Sequence, residues 1–313
     1  MKQILEATSD IRVGAATTFK NLSIFPLLGG EFATADYLTL DEALAQKCTE
    51  ITEVSEGGSV PELKVVNSSG KPVFLLDGEE LIGAKQNRIL NLSILVPAGK
   101  TLVVPVSCVE AGRWHHRSRE FASAPRAQYA EGRAMKMCQV NESMRATGRR
   151  TSNQGEVWQN IDEKFRKFRS SSGTSAMSDI YEQQAVHLED YVRAFSLSAN
   201  QVGAAFAIEG KIVGMDLFDS PETLRKLFPK LLRSYGLDAL DKALSGSEKK
   251  KSYTQPATTK VEAFLKKVAK AEAKEYPAVG EGQDVCLTHP ALTGGALAAA
   301  GHIVHLSAFA IRR

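Results

Sequence analysis

The sequence predicts an α+β protein with three parts: an N-terminal β-sandwich or open-barrel-like part, a helical middle, and a C-terminal α+β part that has a hairpin and a closing strand. Short apolar runs separated by Gly, Pro and Asn fill residues 18–110, a pattern typical of successive strands. Between 157 and 195, apolar residues recur every three or four positions, as on the buried face of a helix. Two later apolar runs meet at Glu209-Gly210, a turn that favours a β-hairpin.

The N-terminal part contains five predicted strands and one predicted helix. The turn residues at 97–100 predict that the last two strands pair with each other as a hairpin. The helical turn is expected at 40–47. The strands are expected at 22–25, 62–66, 72–76, 88–96 and 101–106.

The middle of the chain is predicted to hold two helices. The first carries Val157 and Ile161 on its apolar face, and Ser152 stands ahead of it as the expected N-cap. The second is expected through 180–195, and the serine-rich stretch 170–175 separates the two as a loop.

The C-terminal part begins with the predicted hairpin of strands 202–208 and 211–218. Ser220-Pro221-Glu222 then combines an N-cap, a proline at the first helical position and an acid in the first turn, and so predicts the start of a helix. A polar linker at 248–259 and a lysine-rich helix follow, and 303–309 is the expected closing strand.

The near-neutral charge of the chain conceals an uneven distribution. The 313 residues include 39 Lys+Arg and 36 Asp+Glu, for a formal net charge of +3. Basic and acidic residues number 9 and 14 in 1–111, 13 and 6 in 112–169, and 17 and 16 in 170–313. This division predicts three units of organisation. We expect them at 15–118, 119–200 and 201–313.

The composition excludes several classes of protein. Apolar residues make up 43% and charged residues 24%, so a collagen-like or fully disordered chain is excluded. The four cysteines are far apart and form no C-x-x-C pair, so neither a zinc knuckle nor a thioredoxin-type motif is predicted. The charged first fourteen residues do not fit a signal peptide, and no apolar run reaches the roughly 18 residues of a membrane span. We expect a cytoplasmic protein without a membrane partner.

The densest polar segment, residues 77–88, lies between two apolar strands. One of its carboxylates suits general acid/base chemistry, and its cations suit an anion. The alternative is an acidic turn whose charges point into water and contribute little. A P-loop is excluded because Ala84 stands before Lys85 and no Ser or Thr follows it. The candidate residues of the segment are Glu79, Glu80, Lys85, Gln86, Asn87 and Arg88.

A second polar cluster, residues 105–116, includes the end of a predicted strand, where scaffolds commonly display functional side chains. Glu110 and Arg113 suit an ion pair or an anion clamp. Trp114 offers an aromatic face on which a base or a guanidinium can stack.

The same cluster allows two other interpretations. Cys108 is a conceivable nucleophile, although a free Cys in an apolar strand is more often buried and inert. His115 and His116 are conceivable metal ligands, but the sequence identifies no third ligand. The sequence therefore identifies neither a metal site nor a cofactor.

Two further features have open interpretations. The basic stretch 113–169 interleaves aromatic residues, as single-stranded nucleic-acid binders do, yet Phe165 and Phe168 also fit a helix core. Nucleic-acid binding is therefore an alternative only. Gln154 is positioned to present its amide to a ligand. Asp216 and Asp219 flank the end of a predicted strand, where they equally fit a turn.

The two polar clusters, within 76–88 and 104–114, resemble blocks of the bacterial ARPP-1 family, a domain associated with ADP-ribosylglycohydrolases and rhodanese-phosphatases. The resemblance extends from about residue 19 to 309 and implies a connection to ADP-ribose, nucleotide or RNA-end metabolism. Later blocks are recognisable at 152–158, 210–218, 232–235 and 305–309.

The residues and the resemblance together lead to the hypothesis of an enzyme that acts on an ADP-ribose-type or phosphorylated nucleotide or RNA-end ligand, with Glu80 and Glu110 as catalytic residues. The alternative is a non-catalytic binding or scaffold module whose charges form a structural ion-pair network. The oligomeric state is left open. The expected ligand-binding residues are Glu79, Lys85, Gln86, Asn87, Arg88, Arg113, Trp114 and Gln154.

Overall fold

The computed structural model describes residues 2–29, 35–245 and 255–311. The helices are α1 (Lys2–Ser9), α2 (Leu40–Ala45), α3 (Ala130–Thr147), α4 (Gln154–Phe168), α5 (Met177–Gln183), α6 (Ala185–Ala194), α7 (Pro221–Ser245) and α8 (Thr258–Ala269). The predicted linker at 248–259 lies mostly outside the described residues. No helix in the described ranges has the length and apolar character that a membrane span requires.

The strands are β1 (Arg12–Val13), β2 (Thr17–Phe19), β3 (Leu22–Leu28), β4 (Leu38–Thr39), β5 (Thr49–Glu53), β6 (Glu62–Asn67), β7 (Val73–Leu75), β8 (Glu79–Gly83), β9 (Arg88–Leu90), β10 (Ile94–Val96), β11 (Thr101–Cys108), β12 (Phe121–Ala127), β13 (Gln201–Ile208), β14 (Lys211–Phe218), β15 (Glu272–Pro277), β16 (Gln283–His289), β17 (Leu292–Ala299) and β18 (His302–Ala310). Together with the helices they confirm the predicted α+β class.

The first half of the chain forms a curled, half-barrel-like sheet, which agrees with the predicted open-barrel-like part. Six strands lie in the order β12-β8-β9-β11-β6-β5, and β10-β7-β4 form a second, three-stranded sheet. A bridge between Thr52 and Glu120 brings the two ends of the six-stranded sheet together. Buried Leu63, Val73 and Leu81 belong to the apolar core of this part.

A nine-stranded antiparallel sheet organises the rest of the molecule. Its order is β1-β3-β13-β14-β18-β17-β16-β15, with β2 paired to β3. Alternating residues of its central strands enter two separate cores: Phe206 lies in one with residues of α7, and Ala205 lies in the other with residues of α1 and α8. Strand β3 comes from the first part of the chain, so the sheet joins the two ends of the sequence.

The hairpin predicted for 88–96 with 101–106 is wrong. The chain breaks the first of these runs into β9 and β10, and β10 pairs with β7 while β11 pairs with β9 and β6. The break is fixed by side chains: Asn91 donates to Arg150 O at 2.8 Å, and the Asp77 N–H donates to Ser93 Oγ at 2.9 Å. These bonds hold the chain in the bend between β9 and β10.

The helix predicted through 180–195 is two helices, since Gln184 interrupts it with φ −101° and ψ 8°. The Tyr181 hydroxyl donates to Ala127 O and the Tyr191 hydroxyl donates to Asn21 Oδ1, so the two segments pack in different cores. The predicted N-cap is also wrong. Asn153, not Ser152, accepts from the first free N–H groups of α4.

Several later elements follow the prediction, whereas α1, α3, β5, β12 and β15–β17 were not predicted. The hairpin β13-β14 forms as expected, and helix α7 begins at Pro221, after Ser220 Oγ accepts from the Glu222 N–H at 3.1 Å. Helix α8 buries its predicted apolar face, and β18 is the closing strand. The three-unit division of the chain remains a prediction.

Candidate ligand-binding site

The end of β11 and the turn between β8 and β9 bring most of the predicted site residues together. Gly83 ends β8 with φ 131°, and a Cβ there would lie 2.6 Å from Ser118 Oγ and 2.7 Å from Glu120 O. This close approach seats the loop 112–120 directly on the turn 84–87. Trp114 is consequently held beside Lys85 and Arg88.

Glu110 and Arg113 form a fully buried, two-pronged ion pair. Arg113 donates from Nε to Glu110 Oε1 at 2.8 Å and from Nη2 to Oε2 at 2.6 Å. Glu110 also accepts from the Asn87 N–H at 3.0 Å and from Thr174 Oγ1 at 2.8 Å. Burial alone would raise the pKa of Glu110, but these hydrogen bonds outweigh it and lower the pKa. The carboxylate is thus ionised and saturated with donors.

The amide side chains of the cluster bond to other protein groups rather than face solvent. Gln154 accepts from the Cys108 N–H and donates to the Cys108 carbonyl, both at 2.8 Å, so it extends the sheet as another strand would. Gln86 donates to Glu110 O at 2.9 Å. Asn87 Oδ1 accepts from Arg113 Nη2 at 3.2 Å. These residues position the site.

Arg88 is fully buried and only partly satisfied. Its Nη1 donates to Gln86 Oε1 at 3.1 Å and to Asn87 O at 3.5 Å. Its Nε and Nη2 have no hydrogen-bond acceptor among the described residues. Burial lowers the pKa of the Arg88 guanidinium, while Cys108 and Glu53 oppose this shift.

Trp114 is partly exposed and lies over two buried cations, Lys85 and Arg88. Its side chain is 48% exposed, and its ring centre lies 5.4 Å from Lys85 Nζ and 5.7 Å from the Arg88 guanidinium carbon. The Lys85 ammonium donates to the carbonyls of Glu56 and Gly57 at 2.5 and 2.8 Å. We refer to the site formed by four residues as the Arg88–Trp114 site: Glu53, Lys85, Arg88 and Trp114.

Glu53 completes this site and was not among the predicted residues. Its Oε1 accepts a long 3.4 Å hydrogen bond from the Lys85 N–H, and its Oε2 has no partner in the part of the chain that the structure describes. A Cβ on Gly58 would lie 3.3 Å from Glu53 Oε2 and 3.5 Å from a ring carbon of Trp114. The buried Glu53 carboxylate oxygen and the Trp114 ring therefore both border Gly58.

Glu80 lies elsewhere. It pairs with Arg126 of β12, and burial raises its pKa. In the β8-β9 ladder Glu80 is opposite Ile89 while Leu81 is opposite Arg88, so strand alternation sends Glu80 and Arg88 to opposite faces of the sheet.

Glu79 is likewise separate from the Arg88–Trp114 site. It accepts from Lys230 of α7, and from Ser123 Oγ at 2.9 Å. Lys230 also donates to Asp41 at 2.8 Å. The predicted site residues thus divide between one cluster and two separate ion pairs.

Cys108 lies beside Arg88 in the β9-β11 ladder, and its thiol donates to Gln86 Oε1 at 3.1 Å. Burial raises the pKa of this thiol, and the neighbouring Arg88 lowers it less. The neutral thiol is a poor nucleophile.

A second buried polar network joins the half-barrel to the large sheet. Arg133 of α3 donates to Asp216 of β14 at 2.7 Å and to Asp77 at 3.2 Å. Lys136 also pairs with Asp77, and Tyr235 donates to Asp216 at 3.0 Å. Burial would raise the pKa of Asp216, but Arg133 and His305 outweigh it and lower the pKa.

This network contains residue types of a hydrolytic triad without access for a substrate. Ser93 Oγ lies 2.8 Å from His305 Nδ1, and His305 Nε2 lies 3.3 Å from Asp216 Oδ1. The adjoining cavity has a volume of about 30 Å³, which is room for one or two water molecules. The network therefore fits a structural role.

One family model matches nearly the whole chain. It is described as the ARG and Rhodanese-Phosphatase-superfamily-associated Protein domain, ARPP-1, and it covers residues 10–309. The chain belongs to the ARPP-1 family. No curated protein and no solved structure matches the chain. The family's association with ADP-ribosylglycohydrolase and rhodanese-phosphatase systems is compatible with a nucleotide-related role and specifies no reaction.

One group in the described part of this ARPP-1 protein has the spacing of metal ligands. Oxygens of Glu131, Asp238 and Asp241 lie within 4.8 Å of one another. The Lys164 ammonium, however, donates to all three at 2.6–2.7 Å and so occupies the position that a cation would take. His115 and His116 do not belong to it.

The sequence of this ARPP-1 chain indicates the polar residues at strand ends more clearly than the residues that form ion pairs with them. Asp77 and Asp216 were visible as polar residues at strand ends, but Arg133 lies mid-helix and Lys164 lies on a helix whose pattern indicated only an apolar face. Glu53 ends β5, a strand that was not among the predicted ones, so no strand-end signal pointed to it.

Proposed function

We propose that this ARPP-1 protein binds a phosphorylated, nucleotide-type small molecule at the Arg88–Trp114 site. The observation that supports this is the half-exposed Trp114 ring lying over two cations. A nucleobase stacks on an aromatic face, and the phosphate of the same ligand is attracted by lysine and arginine. The family's nucleotide-related associations agree with such a ligand.

The polar groups around Trp114 match the parts of a nucleotide. The outer face of the ring suits the base, the acceptor Oε2 of Glu53 suits a sugar hydroxyl, and Arg88 suits a phosphate. Lys85 contributes positive charge, although its own hydrogen bonds go to backbone carbonyls. An ADP-ribose-type ligand and a simple nucleotide both contain these three parts.

We assign Glu110 to holding the site and Glu80 to a separate ion pair with Arg126, and neither to acid/base catalysis. Each oxygen of Glu110 accepts two hydrogen bonds, and the pKa of Glu110 is lowered, whereas a general acid at neutral pH needs a raised pKa. Glu80 has a raised pKa but is fully buried on the opposite face of the sheet.

A thermal-shift panel of adenosine, AMP, ADP-ribose, NAD and a 5′-phosphorylated RNA oligonucleotide tests the proposal. A ligand that binds only the folded protein must raise the melting temperature. We expect at least one phosphorylated compound to do so, Trp114→Ala to abolish the shift and Trp114→Phe to retain it. Absence of a shift with every compound would overturn the proposal.

The second candidate is a non-catalytic scaffold, which is favoured by the number of buried ion pairs that link separate parts of the chain. Arg133, Lys164 and Lys230 each pair with carboxylates from more than one element. The scaffold is favoured if no ligand of the panel changes the melting temperature and if breaking these ion pairs strongly lowers the stability of the protein.

A further inference from the structure

Arg88 presents an unused hydrogen-bonding edge inside the protein. Nε and Nη2 of a guanidinium lie side by side and donate in parallel, which matches two oxygens of a carboxylate or phosphate. In Arg88 both of these atoms lack an acceptor among the described residues, while Nη1 on the other side is bonded to Gln86. The edge is also fully buried, so bulk water does not compensate for it.

Arg113 in the same cluster shows how the protein fills this edge elsewhere. There Nε and Nη2 donate to the two oxygens of Glu110. Two arginines thus lie side by side in one cluster, and only one has a protein carboxylate on its Nε/Nη2 edge. An uncompensated buried guanidinium edge is costly, and an oxyanion from outside would remove that cost.

We infer that Arg88 is the residue that determines ligand specificity, and that its Nε/Nη2 edge receives a terminal phosphate of the ligand. This inference rests on the proposed function and narrows it. Arg88 is fully buried and the Trp114 ring centre lies 5.7 Å from its guanidinium carbon, so a ligand reaches the edge only when the ring moves aside, and then only with its end. A phosphate bridged on both sides, as in ADP-ribose, is excluded from this position by its second substituent.

Glu53 favours a phosphate over a carboxylate. Its Oε2 is an unpartnered acceptor near Trp114, and Glu53 is among the charges that act on Arg88. A singly protonated phosphate monoester carries both acceptor oxygens for Arg88 and a P–OH donor for Glu53. An ionised carboxylate has no donor and would face Glu53 with like charge.

The first experiment compares the affinities of adenosine, AMP and ADP-ribose by calorimetry in the full chain. In the wild type we expect AMP to bind at least about tenfold more tightly than either of the others, in line with a charge-assisted hydrogen-bond pair. Arg88→Lys keeps the charge and loses the two-pronged edge, so the preference for AMP over adenosine should become smaller. Arg117→Lys, an exposed change in the neighbouring loop, should preserve it.

The outcomes separate this inference from the proposed function. The inference is overturned if adenosine and AMP bind equally, if ADP-ribose binds through Arg88 as tightly as AMP, or if Arg88→Lys leaves the preference for AMP unchanged. In each of these cases, binding that depends on Trp114 would still support the proposed function. If no nucleotide binds, the proposed function is overturned.

A second measurement does not depend on how well the Arg88 variant folds. In a Trp158→Phe background, Trp114 is the remaining tryptophan. We expect inorganic phosphate to change its emission in a saturable way, because the ring must move to admit the anion, and chloride at equal ionic strength to leave it unchanged. Emission that does not respond to phosphate overturns the inference.

Discussion

Arg133 and Asp216, on helix α3 and strand β14, form a fully buried ion pair with Nη2 and Oδ1 2.7 Å apart. Arg133 also reaches Asp77, which precedes β8. One side chain therefore ties the half-barrel to the central strands of the large sheet. The pair lies at the junction that supports both halves of the molecule.

Asp216→Asn should lower the free energy of unfolding by about 3 kcal/mol, because it leaves part of a buried guanidinium charge uncompensated. Chemical denaturation measures the change. The matched control is Asp190→Asn, which breaks a half-exposed pair with Lys20 and should cost no more than about 1 kcal/mol. Equal effects of the two substitutions would contradict a structural role for the junction.

Lys164→Ala should convert the three carboxylates of Glu131, Asp238 and Asp241 into a cation site. The substitution removes the ammonium that lies among three carboxylates and leaves their oxygens within 4.8 Å of one another. We expect millimolar Ca²⁺ or Mn²⁺ to raise the melting temperature of the variant and not that of the wild type. An equal shift in both proteins would mean that the metal binds elsewhere.

Asp284 should make stability depend on pH. Burial raises its pKa to about 6, although it accepts from Arg150 Nε at 2.7 Å. Because the folded pKa exceeds the unfolded value of about 4, Asp284 contributes progressively less stability as pH rises from about 4 to 6, a loss on the order of 2 kcal/mol. Asp284→Asn lacks this titration, so its stability relative to wild type should improve over that interval. A difference that is constant from pH 4 to 8 would contradict the assignment.

Cys108 should resist alkylation in the folded protein at neutral pH. Its raised pKa and its buried position leave little accessible thiolate. Mass spectrometry after brief iodoacetamide treatment should find adducts on the partly exposed Cys48 before Cys108, and on both after denaturation. Preferential labelling of Cys108 would instead support the nucleophile that the strand-end position suggested.

The sequence predicted correctly those helices and hairpins whose ends are fixed by residues at the ends themselves. Ser220 and Pro221 marked the start of α7, and Glu209-Gly210 marked the hairpin, because caps and tight turns act within a few residues. The prediction failed where a distant residue decides. Ser152 was not the cap because its hydroxyl lies 2.6 Å from Ser107 Oγ, so Asn153 takes that role.

The candidate site was predicted by composition and corrected by strand alternation. Glu80 and Arg88 are eight residues apart on two adjacent strands, and the ladder register alone sends their side chains to opposite faces. Glu53 joined the site from a strand that the sequence did not connect with it.

By itself, the sequence determined the α+β class, the resemblance to the ARPP-1 family and the two polar segments, since periodicity, turn residues and motif blocks are properties of neighbouring positions. Only the tertiary structure decided which charges pair. A buried charge is stabilised by whichever opposite charge the fold brings within hydrogen-bonding distance, and Arg133 with Asp216 are 83 positions apart. The same reason explains why Arg113 has a carboxylate partner and the Nε/Nη2 edge of Arg88 has none among the described residues.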